Sequence, residues 1–250
     1  MVNIAILGCG PSGLLAMHAC VRAGYDPDIY SHKFKSRIYA AMFLHKSIPE
    51  VCPDRPELKI RILKTGTREG YAQNVYGDPQ HEVSWDKFQT GFIDAWSLPN
   101  AYDKLWALYS HRITDMDAKD LLRTELKAYD LVISTIPRPI LCYRDHVFHS
   151  QRVWVRHEQT EMRHNLMVYN GSTVHTFYRY SVIGGHRSYE YSFDPGPRNG
   201  FEVAVGYKPL WTTCDCRPKI VKLGRFGAWE KQILCHQVYE ETFGVLQSLR

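Results

Sequence analysis

Glycine spacing offers the first chemistry in this 250-residue chain. Gly8-Cys9-Gly10-Pro11-Ser12-Gly13 follows an apolar run, Ile4 to Leu7, and leads into a helical pattern carried by Leu14, Leu15, Met17, His18 and Val21. Gly24 closes that pattern before a second short strand around Asp28-Ile29-Tyr30. A GxGxxG in this strand–turn–helix–strand setting is a dinucleotide-binding signal. Gly8 permits the tight turn, Gly10 lets the backbone approach a pyrophosphate, and Gly13 lets the helix pack on the strand. The helix N-terminus offers free N–H groups and partial positive charge to phosphates.

Two further groups carry possible chemistry. Phe177-Tyr178-Arg179-Tyr180 reads as strand, placing Tyr178 and Tyr180 on one face and Arg179 on the other. An arginine among tyrosines suits a carboxylate or phosphate of a substrate. Cys214-Asp215-Cys216 is too closely spaced for the usual zinc pairing, and Cys235/His236 is the nearby second pair, so a turn is expected there and no metal. No GxSxG, HExxH or GxxxxGK[ST] occurs, which leaves hydrolase and P-loop chemistry without support.

The elements that must position these groups are legible in outline. Residues 32–99 read as irregular apart from a strand at Lys59 to Leu63, because prolines at 49, 53, 56 and 79 oppose long elements. A helix is expected from about Asn100 to Ser110, and a shorter one from Lys119 to Lys127. Tyr129 to Pro137 is a continuous apolar run with β-branched residues, the pattern of a buried parallel strand. From Val147 to Val205 the pattern is antiparallel, with Asn170-Gly171 as a two-residue hairpin turn and Thr173 to Val182 as its partner strand. A strand at Ile220 to Leu223 meets Gly224-Arg225-Phe226-Gly227, and a closing helix is expected to carry Ile233, Leu234, Gln237, Val238, Glu241 and Leu246.

Composition sets the bounds. The net charge of +5 suits an anionic cofactor or substrate and permits nucleic-acid contact without requiring it. Seven scattered cysteines do not form a disulfide framework. No apolar run approaches the ~18 residues of a membrane span. The N-terminal apolar stretch has no basic segment before it and reads as a strand rather than a signal peptide, so no membrane contact and a cytoplasmic location are expected.

Together, Gly8/Gly10/Gly13, Tyr129 to Pro137 and Gly224 to Trp229 resemble the flavoprotein superfamily of glutathione reductase type, closest to its amine-oxidase and UDP-galactopyranose-mutase group. The resemblance implies an α/β fold: a discontinuous Rossmann-like FAD-binding domain built from 1–50, 118–142 and 215–250, with a smaller antiparallel-sheet substrate region from 51–117 and 143–214. It implies FAD as cofactor, held by Gly8, Gly10, Pro11, Ser12, Gly13, Ser31, Lys33, Thr135, Pro137, Gly224, Arg225, Phe226, Trp229, Gln232 and Ile233. A helix after Gly224 would aim its N-terminus at the flavin pyrimidine. The segment Tyr39 to Lys46 resembles the one that approaches the flavin ring, which makes His45 a candidate acid/base beside Tyr178 and Arg179. Ser31 departs from the acidic residue usual at the ribose, and the adjacent His32, Lys33 and Lys35 offer a phosphate site that would favour NADP.

The resemblance implies an FAD-dependent oxidoreductase acting on a small anionic or amine/amino-acid-like group. The alternatives are a non-redox mutase-type flavin enzyme, a phage-type flavin lyase or oxidase acting on amino-acid-modified thymidine in DNA, and a degenerate flavoprotein fold that only binds. The partner is accordingly a small molecule or a modified nucleotide.

Overall fold

The computed structural model describes residues 2–249 except 33, 40, 41, 125, 163 and 197–199. Its strands are β1 (Ile4–Leu7), β2 (Asp28–Ser31), β3 (Phe43–Leu44), β4 (Leu58–Gly66), β5 (Gly91–Ser97), β6 (Ile113–Asp115), β7 (Leu131–Ser134), β8 (Phe148–Gln159), β9 (Asn165–Gly171), β10 (Arg179–Ile183), β11 (His186–Tyr191), β12 (Glu202–Thr212) and β13 (Ile220–Lys222). Its helices are α1 (Pro11–Arg22), α2 (Arg68–Tyr76), α3 (Leu98–Tyr109), α4 (Ala118–Thr124), α5 (Gly224–Ala228) and α6 (Gln237–Gln247).

Five strands form a parallel sheet in the order β13-β7-β1-β2-β6. Its strands are apolar on both faces because both are covered. Along β1, Ile4 and Ile6 pack with Leu14, Leu15 and Met17 of α1, Tyr102 and Leu105 of α3, and Val238 and Leu246 of α6. Ala5 and Leu7 pack on the opposite face with Leu121 of α4, Val132 and Leu141.

The other eight strands follow the order β12-β8-β11-β10-β9-β4-β5-β3. This sheet is mixed rather than wholly antiparallel, since β4 and β9 run parallel, with Ile62 opposite Met167. Two short passages change sheet. β6 and the adjoining α3 join the parallel sheet although they come from 51–117, and β3 joins the mixed sheet although it lies within 1–50.

Three local expectations are corrected. Residues 32–99 hold more regular structure than expected: β3, α2 and β5 lie there beside β4, which extends the expected strand at both ends to Leu58–Gly66. The four prolines fall in connections, so they punctuate elements without preventing them. α2 is hard to read because, besides Tyr71 and Val75 in an apolar cluster, it packs through backbone: a Cβ added at Gly70 would lie 1.9 Å from the Gly171 carbonyl oxygen. Thr67 caps this helix, accepting from the Gly70 N–H at 3.0 Å.

Asn170-Gly171 is not a two-residue turn either, for β9 continues through both. Asn170 is buried, and its amide donates to the carbonyls of His175 and Phe177 at 3.2 and 2.6 Å, organising a longer loop. The tight hairpin is Gly184-Gly185, where both residues have positive φ (57° and 79°). Third, the closing helix starts only at Gln237. Ile233 and Leu234 lie in the irregular link from α5, where Gln232 has φ 81°.

Candidate functional site

The first glycines make a tight, open-ended cradle. β1 runs into Gly8, whose φ of 104° lies in the left-handed region. A Cβ on Gly13 would fall 1.8 Å from the Gly8 carbonyl oxygen, so only glycine lets α1 start against this turn. At Gly10 an added Cβ would meet nothing within 4 Å. Its side faces open space, as close approach by a ligand requires. Gly10 is the N-cap of α1, Pro11 occupies the first turn, and no side chain caps this end.

The two other segments singled out from sequence arrive at the same place. Thr135, at the end of β7, donates its hydroxyl to the Leu7 carbonyl at 3.1 Å, and its Oγ1 would be 2.8 Å from a Cβ on Gly8. Gly224 (φ 71°) abuts Ser12, whose Oγ would be 2.8 Å from an added Cβ. Gly227 abuts the Ser134 carbonyl at 2.5 Å on the same measure. The crevice between α1, the end of β7 and α5 is therefore closed by glycine contacts from three remote segments.

Ser12 Oγ lies 3.8 Å from Cys235 Sγ, and burial pushes that thiol up to about 11. The Ser134 hydroxyl and Arg225 Nε, both beside this crevice, are buried with no hydrogen-bond partner. Burial, and then Arg179, lower the pKa of Arg225. Orphaned buried donors of this kind fit a polar ligand that would complete them.

A second cluster faces it from the mixed sheet. Glu190 on β11 is 1 % exposed. Arg179 Nε donates to its Oε1 at 2.7 Å, and Arg179 Nη2 donates to the same oxygen. Tyr178 donates its hydroxyl to Glu190 Oε2 at 2.9 Å. Lys208 on β12 donates to that oxygen at 2.5 Å and to the Tyr178 hydroxyl at 2.9 Å. Burial would raise the Glu190 carboxyl, but Arg179 and Lys208 override it and hold it down at about 2. Burial lowers Lys208 to about 8 against the pull of Glu190, with Arg179 and Arg225 adding to the lowering. Tyr178 is driven well above its ordinary value, first by burial and then by Glu190. Arg225 is thus within electrostatic reach of the cluster.

The expectation that Tyr178 and Arg179 face opposite ways is corrected. Tyr178 lies just before β10, outside the alternation, so both side chains converge on Glu190. Glu190 and Lys208 were missed because each sits in a strand whose sequence gives no sign of a buried charge. The signal was available only as paired odd polar residues, Glu190 within Ser188-Tyr189-Glu190-Tyr191 and Lys208 before Pro209.

Other expected residues fall elsewhere or differ in form. His45 packs on Phe43 and His236 with centroids 4.9 and 5.8 Å away, and burial lowers its pKa. None of these contacts is to the Glu190 cluster. α5 is a five-residue turn followed by Trp229 in the left-handed region (φ 59°), too short to present a helix dipole. Trp229 donates Nε1–H to the His149 carbonyl at 3.0 Å, and Phe226 packs on it at 6.4 Å with its own ring partly exposed. Trp229 and Gln232 border a cleft of about 470 Å³ with Arg138 and Trp211, on the side of α5 toward β12. Ile233 is partly buried, and Pro137 precedes a short 3-10 turn at Arg138–Leu141.

Ser31 ends β2 opposite Asp115 of β6. His32 lies 3.7 Å from Asp115 and 3.8 Å from Asp117, while Lys35 is 2.6 Å from Asp103. The carboxylates near the end of β2 are thus Asp115 at the end of β6 and Asp117 just after it. Lys33 lies outside the described residues. Among the described residues no helix is long and apolar enough to cross a membrane.

No protein-family model and no curated protein sequence matches the chain. Solved structures do. The chain is similar to a reduced UDP-galactopyranose mutase at 12% identity and TM-score 0.57, covering 100% of this chain and 96% of that one. It is similar to CtdE in complex with FAD and a substrate at 12% identity and TM-score 0.54, covering 98% and 80%. It is also similar to the p-nitrophenol 4-monooxygenase PnpA of Pseudomonas putida at 8% identity and TM-score 0.51, covering 100% and 82%. These likenesses establish the fold: a Rossmann-like parallel sheet joined to a mixed sheet, as in FAD-binding flavoproteins.

Proposed function

We propose that this chain binds FAD and is a flavin-dependent oxidoreductase acting on a small molecule with an anionic or amine/amino-acid-like group. The observation that carries the reading is the meeting of Gly8–Gly13, Thr135 and Gly224–Gly227 at one crevice beside the uncapped start of α1. Gly10 and the first N–H groups of α1 would hold the pyrophosphate, Ser31 with Asp115 the adenosine ribose, and Arg225 a further polar group of the cofactor. His32 and Lys35 are already matched by carboxylates, which supports a ribose hydroxyl rather than an NADP phosphate at that end. In this reading 1–50, 118–142 and 215–250 carry the cofactor, and 51–117 with 143–214 form the substrate side, with the sheet exchanges of β3, β6 and α3 noted above.

When bound, FAD supplies hydride acceptance from a C–H beside nitrogen or oxygen. The chain's own residues supply charge and proton placement. The Arg179 fork is occupied by Glu190, and Lys208 donates one hydrogen bond to Glu190 and one to Tyr178, which leaves its third N–H for a substrate anion. Lys208, with its pKa lowered to about 8, holds or releases a proton at Nζ near neutrality. Tyr178, hydrogen-bonded to that Nζ, stays protonated and can pass a proton along the pair.

The reading is tested on the purified full chain by its visible spectrum and by identifying any released nucleotide. Bound FAD that is reduced on adding amines or amino acids, with peroxide formed in air, is the expected result. Colourless protein that takes up no added FAD overturns it. A second reading, mutase-type chemistry on reduced flavin, is favoured by likeness to nearly the whole of a mutase chain. Turnover only after dithionite reduction would select it, and steep salt-dependent retention of DNA would shift the substrate to a modified nucleotide.

A further inference from the structure

A group of four metal-ligand side chains lies outside the crevice. Cys142 follows the short 3-10 turn after β7, and His146 is four residues further on. Cys214 and Cys216 come from the link between β12 and β13, some 70 residues later in sequence. Their ligand atoms, three Sγ and one imidazole nitrogen, all lie within 4.8 Å of one another. Cys142 Sγ is 3.3 Å from His146 Nδ1 and 3.8 Å from Cys216 Sγ, and Cys216 Sγ is 3.5 Å from the same Nδ1.

The three separations among Cys142, His146 and Cys216 match the edges of a tetrahedron around zinc, and Cys214 Sγ lies within 4.8 Å of each. Zn–S bonds of about 2.3 Å and Zn–N bonds of about 2.0–2.1 Å place ligand sulfurs about 3.8 Å apart and sulfur from nitrogen about 3.5 Å. A disulfide is excluded in this arrangement, because bonded sulfurs would be about 2.05 Å apart. His146 turns Nδ1 toward the thiols, and its Nε2 lies 3.4 Å from Asp215 Oδ1, the carboxylate–histidine pairing that orients a ligating imidazole. Cys214 and Cys216 are 5 % and 2 % exposed, and Cys142 and His146 are half-buried.

We propose that Cys142, His146, Cys214 and Cys216 form a structural Cys3His zinc site. Four protein ligands complete the tetrahedron, so the metal has no open position for substrate. Binding releases the three thiol protons to solvent and leaves the centre with one net negative charge, with no change of oxidation state. The site ties the segment leaving β7 to the segment entering β13. Arg138 spans the same gap, donating to the Cys214 carbonyl and, at 3.1 Å, to the Ala228 carbonyl of α5. The metal thus holds Thr135 and the Gly224 turn in mutual register, and it does not depend on the flavin reading. The sequence showed only Cys214-x-Cys216. Its partners are Cys142 and His146 rather than Cys235 and His236, since Cys235 faces Ser12 instead.

The test is metal analysis of the full chain purified without chelator from zinc-supplemented cells, with FAD quantified in the same sample. About one zinc per chain is expected, whatever the FAD content. Cobalt exchange should give the ligand-field and thiolate charge-transfer bands of a tetrahedral three-sulfur centre. Cys142→Ser and Cys216→Ser should lose zinc, Cys52→Ser should keep it, and Asp215→Asn should lose it to a competing chelator about tenfold more readily. If the cysteine variants do not fold, the cobalt spectrum of the unaltered chain decides. Substoichiometric zinc with no cobalt bands, zinc retained by Cys216→Ser, or a disulfide among Cys142, Cys214 and Cys216 in the isolated protein would overturn the proposal.

Discussion

Glu190 is 1 % exposed and lies between two cations, Arg179 and Lys208, with the Tyr178 hydroxyl as a third donor. Desolvating Glu190 with two half-buried cations offsets much of what the two ion pairs return, so the cluster is poor evidence of stabilisation by itself. Its removal in part is another matter. Glu190→Gln leaves two half-buried cations without a counter-charge and should destabilise the protein by about 2–4 kcal/mol. Lys208→Met leaves the Arg179–Glu190 pair intact and should cost clearly less, and the double variant should recover part of the Glu190→Gln loss. Urea unfolding of the three variants decides it. Equal costs for the two single changes would mean that Lys208 is as essential to the fold as the carboxylate, and its assignment as the proton-holding group would fail.

Among the elements, the β1–α1 turn separates a glycine needed by the fold from one needed by the ligand. A Cβ at Gly13 collides with the Gly8 carbonyl, whereas one at Gly10 enters open space at an ordinary φ of −66°. Gly13→Ala should therefore lower the stability of the cofactor-free chain by about 1–3 kcal/mol or more. Gly10→Ala should cost at most about 1 kcal/mol, as a change of N-cap, yet lose FAD. Thermal unfolding of stripped protein and FAD titration separate the two, and FAD affinity unaltered in Gly10→Ala would remove the cofactor from this turn.

The same elements mark what was legible in the sequence. β1, α1, β2 and β7 were readable because parallel strands buried on both faces give unbroken apolar runs and the turn demands glycine. α2 was not, because Tyr71 and Val75 carry only a short side-chain stripe into an apolar cluster, and much of its packing is Gly70 on backbone and the Asn74 amide on loop carbonyls. The Glu190–Lys208 contact and the Cys142–Cys216 approach were not, because they join residues brought together only by sheet order. Asn170-Gly171 misled because a turn-forming pair also serves where a buried amide must organise a loop.

For the whole molecule, the buried titratable groups combine into one prediction about pH. Burial lowers His18, His45, His157 and His236 below their ordinary 6.5. The unfolded chain then takes up protons first, so the stability these neutral rings lend is complete above 6.5 and is lost as pH falls through their folded values. Glu190 adds a second loss as pH falls from its ordinary 4.5 toward about 2. Lys208 acts in the same direction: the cost of its buried charge is present below about 8 and is relieved as pH rises toward 10.5. Opposing these, burial raises the thiols of Cys20 and Cys235, to about 12 and about 11 from an ordinary 9.0, and the phenols of Tyr71 and Tyr178. Their neutral forms support the fold up to the ordinary values and lose that support as pH rises through the folded ones. The two limbs meet on the alkaline side of neutrality, so the urea midpoint should peak at about pH 8–9 and decline from about 6.5 downward before Glu190 is reached. A peak at or below pH 6 would mean that the histidines are not buried neutral in the native state. The burial of His18 between Tyr109 (2.7 Å) and the Pro49 carbonyl (2.9 Å) would then be wrong first, because desolvation there is what keeps that ring neutral.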